Sequence, residues 1–222
     1  MFVNFCLVLI FYFFATSKGK SAITLRYVRD FFVQNWEATI EDAYQKTVKV
    51  DGDVFTLEIL DTAGQEDFST LRAQWMMDKE GYVFVYSLVD KESLDQLYAF
   101  VDLLEQVCVG MPNIPPIIFV GNKKDLTDSN PRTRAVSSED IARLIHVCEE
   151  TSTKIRLQQV GQDQKLGGKE DGWPILHFEA SALSGERIDE MFEILVREIK
   201  DRRTSVTPKK KKNFFSRWCN IL

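Results

Sequence analysis

Two stretches of the sequence, residues 82–88 and residues 117–120, are apolar at nearly every position, and segments with helical spacing flank each of them. A strand that is apolar along its whole length must be covered on both faces, which is typical of parallel sheets with helices on two sides. This pattern predicts an α/β fold, in which a doubly wound, mostly parallel sheet of six strands is flanked by helices.

The other predicted elements follow the same alternation. Four more stretches are predicted as strands: residues 6–13, 44–50, 54–60 and 175–178. Asp51-Gly52 suits a tight hairpin turn between the second and third strands, and residues 35–42 before them are predicted as a loop. Apolar residues at helical spacing predict four helices: Ala22, Leu25, Val28 and Phe32; Leu94, Leu97, Val101, Leu104 and Cys108; Ile141, Leu144, Ile145 and Cys148; Ile188, Met191, Leu195 and Ile199.

The first 18 residues form an atypical, apolar N-terminus. Residues 2–15 are apolar except for Asn4. The stretch is shorter than the roughly 20 residues that span a bilayer, and it lacks the basic residues that precede the core of a signal peptide. We interpret residues 6–13 as the first, buried strand; a targeting segment is the alternative.

Length and charge limit the remaining possibilities. A chain of 222 residues accommodates one α/β domain, predicted over residues 19–203, and a flexible tail over residues 204–222. Residues 151–172 are polar, contain glycine and show no period, so they are predicted as an exposed insertion.

The net charge of −5 argues against nucleic acid as the main partner. The four cysteines show no paired spacing, which favours a reducing compartment over disulfides or a zinc site.

The sequence Gly19-Lys20-Ser21 matches the second half of a phosphate-binding loop. Such a loop requires Gly-x-x-x-x-Gly-Lys-Ser/Thr, because backbone N–H groups must close around phosphate oxygens and a side chain would obstruct them. Phe14 occupies the first glycine position, and Thr16 and Ser17 lie within the loop.

Two further motifs follow predicted strands. In residues 61–66, Asp-Thr-Ala-Gly-Gln-Glu, the aspartate can hold magnesium through water, the glycine N–H can sense a terminal phosphate, and the glutamine can orient an attacking water. In residues 122–125, Asn-Lys-Lys-Asp, one carboxylate that accepts two N–H bonds from guanine would explain a purine preference. A polar turn is the alternative interpretation of each motif in isolation.

These motifs, together with Ser181-Ala182 and the segment Thr39-Ile40-Glu41-Asp42, resemble the Ras family of small GTPases over roughly residues 19–200. The sequence departs from the family at the glycines of the phosphate loop, at Leu183, where a lysine is usual, and at the insertion.

The resemblance implies roles for residues around the phosphates. Gly19 and Lys20 would bind the phosphates, the hydroxyls of Ser21 and Thr39 would ligate Mg²⁺, and Asp61 would support the metal through water. Gly64 would report the γ-phosphate and Gln65 would position the nucleophilic water. Residues 39–42 and about 64–75 would be the two switches that order with GTP.

The resemblance also implies the groups that select guanine and the partners of the protein. The nucleotide-binding residues on the guanine side would be Phe32, Asn122, Lys123, Asp125, Ser181 and Ala182. Effector proteins would bind through Thr39, Ile40, Glu41 and Asp42. A GTPase-activating protein would supply the missing arginine for fast hydrolysis, and an exchange factor would release GDP.

The C-terminal residues Cys219-Asn220-Ile221-Leu222 fit a prenylation box, in which a terminal leucine favours geranylgeranyl. Lysines 209–212 lie upstream, and a basic run supplies the second signal that stable attachment of one lipid chain requires. These features predict attachment at Cys219 to the cytoplasmic face of the plasma membrane or endomembranes, on an anionic surface. A solvated basic tail with a chance match is the alternative.

Three hypotheses about function remain open at this point. The first is a switch that binds GTP and GDP and hydrolyses GTP slowly. The second is a pseudo-GTPase that keeps the fold and the effector surface but binds nucleotide weakly or not at all. In the third, the first 18 or so residues are an alternative or misassigned start, and the true protein carries an intact phosphate loop.

Overall fold

The computed structural model describes residues 6–14, 20–32, 41–62, 76–77, 79–108, 115–160 and 175–206. One six-stranded sheet organises them. Its strands are β1 (Cys6–Phe14), β2 (Glu41–Val50), β3 (Asp53–Thr62), β4 (Gly81–Ser87), β5 (Ile117–Asn122) and β6 (Ile175–Glu179). The strand order is β2-β3-β1-β4-β5-β6, and only the β2–β3 pairing is antiparallel. The predicted mostly parallel sheet is confirmed.

Strand β1 lies in the middle of this sheet. It pairs in parallel with β3 on one edge, where Tyr12 lies opposite Asp61, and with β4 on the other, where Phe14 lies opposite Val85. The prediction of a strand in the apolar N-terminus is therefore confirmed. A central strand is the position in a parallel sheet that calls for apolar residues throughout.

The hairpin of β2 and β3 turns at Asp51 and Gly52, whose φ angles are 49° and 88°. Two successive positive φ angles match the right-handed twist of the strands that such a turn joins. The predicted loop over residues 35–42 is wrong at its end, because residues 41 and 42 pair with β3. The pairing of Asp42 with Asp61 extends the ladder to the end of β3 and brings this part of the predicted effector segment into the sheet.

Among the residues that the structure describes, six α-helices connect or flank the strands. They are α1 (Lys20–Arg29), α2 (Lys91–Asp95), α3 (Tyr98–Cys108), α4 (Lys124–Ser129), α5 (Ser138–Val160) and α6 (Ile188–Val206). A short 3₁₀ turn, Pro131–Thr133, follows α4. The single helix predicted around residues 94–108 is wrong, since Gln96 and Leu97 separate α2 from α3. At this break the N–H of Leu97 donates to the carbonyl of Leu94, three residues back, which tightens the turn while both leucines stay buried.

The buried face of α1 differs from the predicted one. Ile23 and Tyr27 are buried, whereas Ala22, Leu25 and Val28 are only partly covered. Both sets have helical spacing, so the period alone did not distinguish them. Packing decides, because the ring of Tyr27 stacks on that of Phe192 in α6, with centroids 3.6 Å apart and planes 9° apart.

Helix α5 is longer than predicted and corrects the proposed insertion. Residues 151–160 continue the helix, and Thr151, Ser152 and Ile155 are buried. These residues therefore belong to the packed domain, although the short polar side chains concealed the apolar period. Residues 161–172 of the predicted insertion lie outside the described residues. The domain also extends beyond its predicted end, because α6 continues to Val206.

Two hydrophobic layers cover the sheet. Alternation along β4 sends Val83 and Val85 into the layer under α1 and α6, and Tyr82, Phe84 and Tyr86 into the layer under α3 and α5. All seven residues of β4 are buried, as the continuous apolar sequence predicted. Among the helices that the structure describes, none is long and apolar enough to cross a membrane.

Ile155 provides a test of the extended helix. We expect Ile155→Ala to lower the free energy of unfolding by about 2–4 kcal/mol, because the side chain is fully buried and its loss leaves a cavity. Lys154→Ala, at an exposed position on the same turn, serves as the control. Chemical denaturation of both variants gives the comparison, and equal stabilities would contradict the packing of this segment.

Candidate functional site

The predicted site residues in the described part of the chain gather where the parallel strands end. Asp61 lies near the end of β3, Asn122 ends β5, and Ser181 follows β6. In an open α/β sheet the loops beyond the carboxyl ends of the strands form the binding crevice.

Asn122 joins two of these strand ends. Its side chain is 4% exposed, and its Oδ1 accepts the backbone N–H of Lys123 at 2.7 Å and that of Ala182 at 3.1 Å. A buried amide that accepts two backbone N–H groups fixes both segments relative to each other, because breaking either bond would leave a buried polar group unsatisfied. The loop after β6 is therefore tied directly to the end of β5.

Lys123 adopts a left-handed backbone conformation, with φ 68° and ψ 34°. This conformation costs a non-glycine residue free energy, so neighbouring groups must hold it in place. The hydrogen bond to Asn122 and the donation of Lys124 N–H to the carbonyl of Ala180 at 3.1 Å supply that restraint. The turn starts α4 and places Asp125 beside the loop after β6.

Ser181 and Asp125 form the second link. The Oγ of Ser181 donates to Asp125 Oδ1 at 2.6 Å and accepts the N–H of Ser184 at 3.2 Å. The bond to a carboxylate is charge-assisted and short, so it orients the half-buried Asp125 side chain. Four of the predicted base-selecting residues, Asn122, Asp125, Ser181 and Ala182, are thus brought together in one hydrogen-bonded unit.

On the opposite side of the crevice the structure describes Ser21 and Asp61. Ser21 lies in the first turn of α1 and is 7% exposed, and Asp61 is fully buried. A hydroxyl and a carboxylate are hard oxygen donors of the kind that Mg²⁺ prefers, and this ion is usually held by one or two side chains together with substrate phosphates. The two residues therefore fit a magnesium site. No cluster of three or more His, Cys, Asp or Glu suited to a metal occurs among the described residues.

Several predicted site residues lie outside the described residues: Gly19, Thr39, Ile40, Gly64, Gln65 and Cys219. Lys20 begins α1 and Glu41 begins β2, but only their backbone positions are described.

Phe32 is partly buried and packs against the core layer under α1 and α6. Asp42 is exposed and accepts a hydrogen bond from the Tyr44 hydroxyl at 3.4 Å. Partial burial, with the charges of Asp42 and Asp61, raises the pKa of Tyr44.

Comparison with known proteins agrees with this arrangement. The model of the Ras family matches residues 15–201. The chain belongs to the Ras family.

The relatives support the assignment over most of the chain. Ras-like protein RAS2 of Hydra vulgaris is 34% identical over 207 residues, which cover 92% of this chain and 90% of the relative. The Ras-related protein ralB-A of Xenopus laevis is 32% identical over 209 residues, covering 90% and 87%. Ras-like protein 1 of Saccharomyces cerevisiae is 35% identical over 183 residues, which cover 82% of this chain but only 49% of the relative. As a Ras-family protein the chain is a GTP-binding signalling protein with the small-GTPase fold.

Sequence reasoning missed a contact that supports the end of β5. The Tyr86 hydroxyl from β4 reaches over Gly121 in β5 and forms a 2.8 Å hydrogen bond with Nε2 of His177 in β6. A Cβ at Gly121 would lie 2.8 Å from that hydroxyl and 2.7 Å from Leu88 Cδ2, so only glycine leaves room for the crossing. A glycine inside an apolar strand was the available signal, since it often marks a close approach.

His177 makes this contact sensitive to acid. Burial lowers its pKa below the ordinary value of 6.5; Glu179 opposes the shift, whereas Arg134 and Arg187 add to it. The unfolded chain binds the proton near pH 6.5 and the folded chain only at lower pH. The stability linked to His177 is therefore complete above that value and is lost as pH falls below it.

We expect the free energy of unfolding to depend less on pH between about 5 and 7 in His177→Gln than in the unchanged protein, because the variant lacks the depressed titration. His146→Gln is the matched control, since His146 is the other histidine and is exposed. Denaturant unfolding at several pH values measures the difference. Equal pH dependence in the two variants would contradict the assignment.

Proposed function

We propose that the chain is a membrane-attached switch that binds GTP and GDP, hydrolyses GTP to GDP and phosphate, and signals to effector proteins through its switch segments. The observation that carries the proposal is the unit formed by Asn122, Asp125, Ser181 and Ala182 at the carboxyl edge of the sheet. Its groups are those that a guanine base requires.

Guanine selection follows from the chemistry of this unit. The Asp125 carboxylate, oriented by Ser181, accepts the two N–H groups that guanine presents on one edge. Adenine carries no such pair, so it would leave the carboxylate unsatisfied at a large cost in affinity. Asn122 and the backbone around Ala182 hold the other side of the base pocket, and Lys123 lies over the base.

On the phosphate side, Lys20 would bind the β- and γ-phosphates, Ser21 and Thr39 would hold Mg²⁺, and Asp61 would support the ion. When bound, Mg²⁺ would neutralise negative charge on the phosphates. Gln65 orients the water that attacks the γ-phosphate, and the N–H of Gly64 contacts that phosphate. Fast hydrolysis depends on an arginine from a GTPase-activating protein, and GDP release depends on an exchange factor.

Effector proteins bind the segment of residues 39–42. Its last two residues belong to β2, a strand at the edge of the sheet, and Asp42 is exposed. An exposed edge strand offers both side chains and free backbone groups to a partner. The fixed position of residues 41 and 42 in β2 supports this part of the proposal.

The altered phosphate loop favours a second candidate function, a pseudo-GTPase that binds effectors or acts as a scaffold with impaired nucleotide binding. Phe14 is the last residue of β1 and pairs with Val85, and four residues separate it from Gly19 as in the intact motif. It thus occupies the first glycine position, where a side chain obstructs the backbone that encloses phosphate. We infer that nucleotide binding and hydrolysis are weaker than in relatives with an intact loop.

One titration with two variants separates the candidates. We expect the protein to bind fluorescent GDP weakly in the presence of Mg²⁺, to ignore adenine nucleotides, and to shift from guanine to xanthine nucleotides in Asp125→Asn. The shift follows because an amide can pair with the additional carbonyl of xanthine. Asp102→Asn, an exposed aspartate on α3, controls for the change in charge.

The outcomes of the titration are distinct. If the protein binds no guanine nucleotide, the result supports the pseudo-GTPase as its function. Binding that keeps its guanine preference in Asp125→Asn would contradict the assignment of the base-selecting residues.

The location of the protein is a separate part of the proposal. A prenyl group at Cys219 and the lysines 209–212 attach the protein to an anionic, cytoplasmic membrane surface. The apolar N-terminus is the competing anchor, but its residues 6–14 form β1, which pairs on both edges within the sheet. A strand used in this way is not available to a bilayer.

We expect Cys219→Ser to move the protein from the membrane fraction to the cytosol, since four lysines without a lipid give only weak, salt-sensitive attraction. Replacing lysines 209–212 with glutamine should weaken attachment while the lipid remains. Cell fractionation with detection of the prenyl group measures both effects. A serine variant that stays on membranes would contradict the prenyl anchor and favour another attachment.

A further inference from the structure

The side chain of Arg26 connects α1 to the loop after β6. Arg26 lies in the last turn of α1, and its Nε donates to the carbonyl of Ala182 at 2.9 Å. Its Nη2 donates to the carbonyl of the next residue, Leu183. The two acceptors are adjacent peptide carbonyls, and the planar guanidinium presents its donors at a fixed separation that a flexible ammonium cannot reproduce.

The third nitrogen of the same guanidinium fixes Arg26 itself. Nη1 donates to the carbonyl of Asp30 at 3.2 Å, where the chain leaves α1 with a φ of 55°. The Asp30 carboxylate lies 3.7 Å away but its side chain is 97% exposed, so this ion pair contributes little. The side chain of Arg26 is only 18% exposed. Its position is therefore set mainly by backbone carbonyls on two separate segments.

The loop after β6, residues 180–186, folds around the stem of this arginine. Gly185 has a φ of +83°, and a Cβ there would lie 3.6 Å from Arg26 Cδ and 3.9 Å from Arg26 Nε. Its N–H donates to the carbonyl of Ser181 at 2.8 Å, which closes the loop on itself. Both limbs of the loop thus approach Arg26, one through carbonyls and the other at Gly185, where an added Cβ would meet the stem of the arginine.

The contacts of Ala182 show what this arrangement achieves. Its carbonyl is held by Arg26, and its N–H is held by Asn122 at 3.1 Å. The peptide units on both sides of Ala182 are therefore anchored, from α1 on one side and from β5 on the other. The side chain of Leu183 is 50% exposed and supplies little anchoring of its own.

We propose that Arg26 is a positioning residue for the guanine-selecting loop, and that it sets how long a guanine nucleotide stays bound without touching the nucleotide. Charge-assisted bonds to two adjacent carbonyls hold the peptides around Ala182 in the orientation that the base requires. The same helix begins with Lys20 and Ser21, so Arg26 also couples the phosphate side of the crevice to the base side. The nucleotide part of this inference rests on the proposed function; the ordering of the loop does not.

Hydrogen exchange on the nucleotide-free, full-length chain tests the ordering. Exchange in residues 180–186 should be about tenfold faster in Arg26→Ala, because the loop then opens more readily. Exchange in β4 should not change. Arg26→Lys, which keeps the charge and the stem but loses the paired donors, should give an intermediate increase.

Two controls isolate the contact with the loop. Arg29→Ala removes a neighbouring, exposed arginine from the same helix. Asp30→Gly removes the ion pair but keeps the carbonyl that Arg26 contacts, and glycine accepts the positive φ at this position. Neither should alter exchange in residues 180–186. Unchanged exchange in Arg26→Ala, or an equal increase in either control, would overturn the proposal.

Release of fluorescent GDP tests the consequence for nucleotide. Dissociation should be about tenfold faster in Arg26→Ala than in Arg29→Ala, with the lysine variant between them, because a factor of ten corresponds to the loss of one strong hydrogen bond. Equal release rates would overturn the link to retention of nucleotide. If the unchanged protein binds no guanine nucleotide, the proposed function fails, and hydrogen exchange alone decides whether Arg26 positions the loop.

Discussion

The pairing of β1 with strands on both of its edges is the constraint on which the rest of the structure depends. Without β1, the hairpin of β2 and β3 would have no connection through the sheet to β4, β5 and β6. The strand also determines where the connection to α1 begins, because β1 ends at Phe14 and α1 begins at Lys20. The apolar composition of residues 6–14 is thus explained by their place at the centre of a parallel sheet, where apolar residues are needed throughout.

The sequence was most informative where a residue pattern has one structural solution. Continuous apolar stretches predicted the central strands, and Asp51-Gly52 predicted the hairpin turn, both as observed. The base-selecting role of residues 122–125 stays a prediction, although these residues lie at the end of β5. It was least informative where several solutions share a pattern. Packing against α6 determines which face of α1 is buried. Residues 151–160 are helical but lack the apolar period that would have predicted a helix.

Contacts between distant segments were not predictable from the sequence. Nothing in the residues around Arg26 indicates that its guanidinium reaches carbonyls more than 150 positions away. The crossing of Tyr86 over Gly121 to His177 depends in the same way on the order of three strands. Such contacts involve ordinary residue types whose function is defined only by the fold, whereas the motifs that contact a ligand must keep particular chemistry at fixed spacing.

The position of α1 explains how the base side of the crevice is assembled beside an altered phosphate loop. The helix is held by the core, since Tyr27 stacks on Phe192 and Lys46 Nζ lies 3.7 Å from the centroid of the Tyr27 ring. These contacts do not involve the connection between β1 and α1. The contacts of the Arg26 guanidinium with the carbonyls of residues 182 and 183 therefore do not depend on that connection. On the proposed function, we infer that changes in the loop before α1 weaken the hold on phosphate, while Asn122, Asp125, Ser181 and Ala182 keep their contacts with one another.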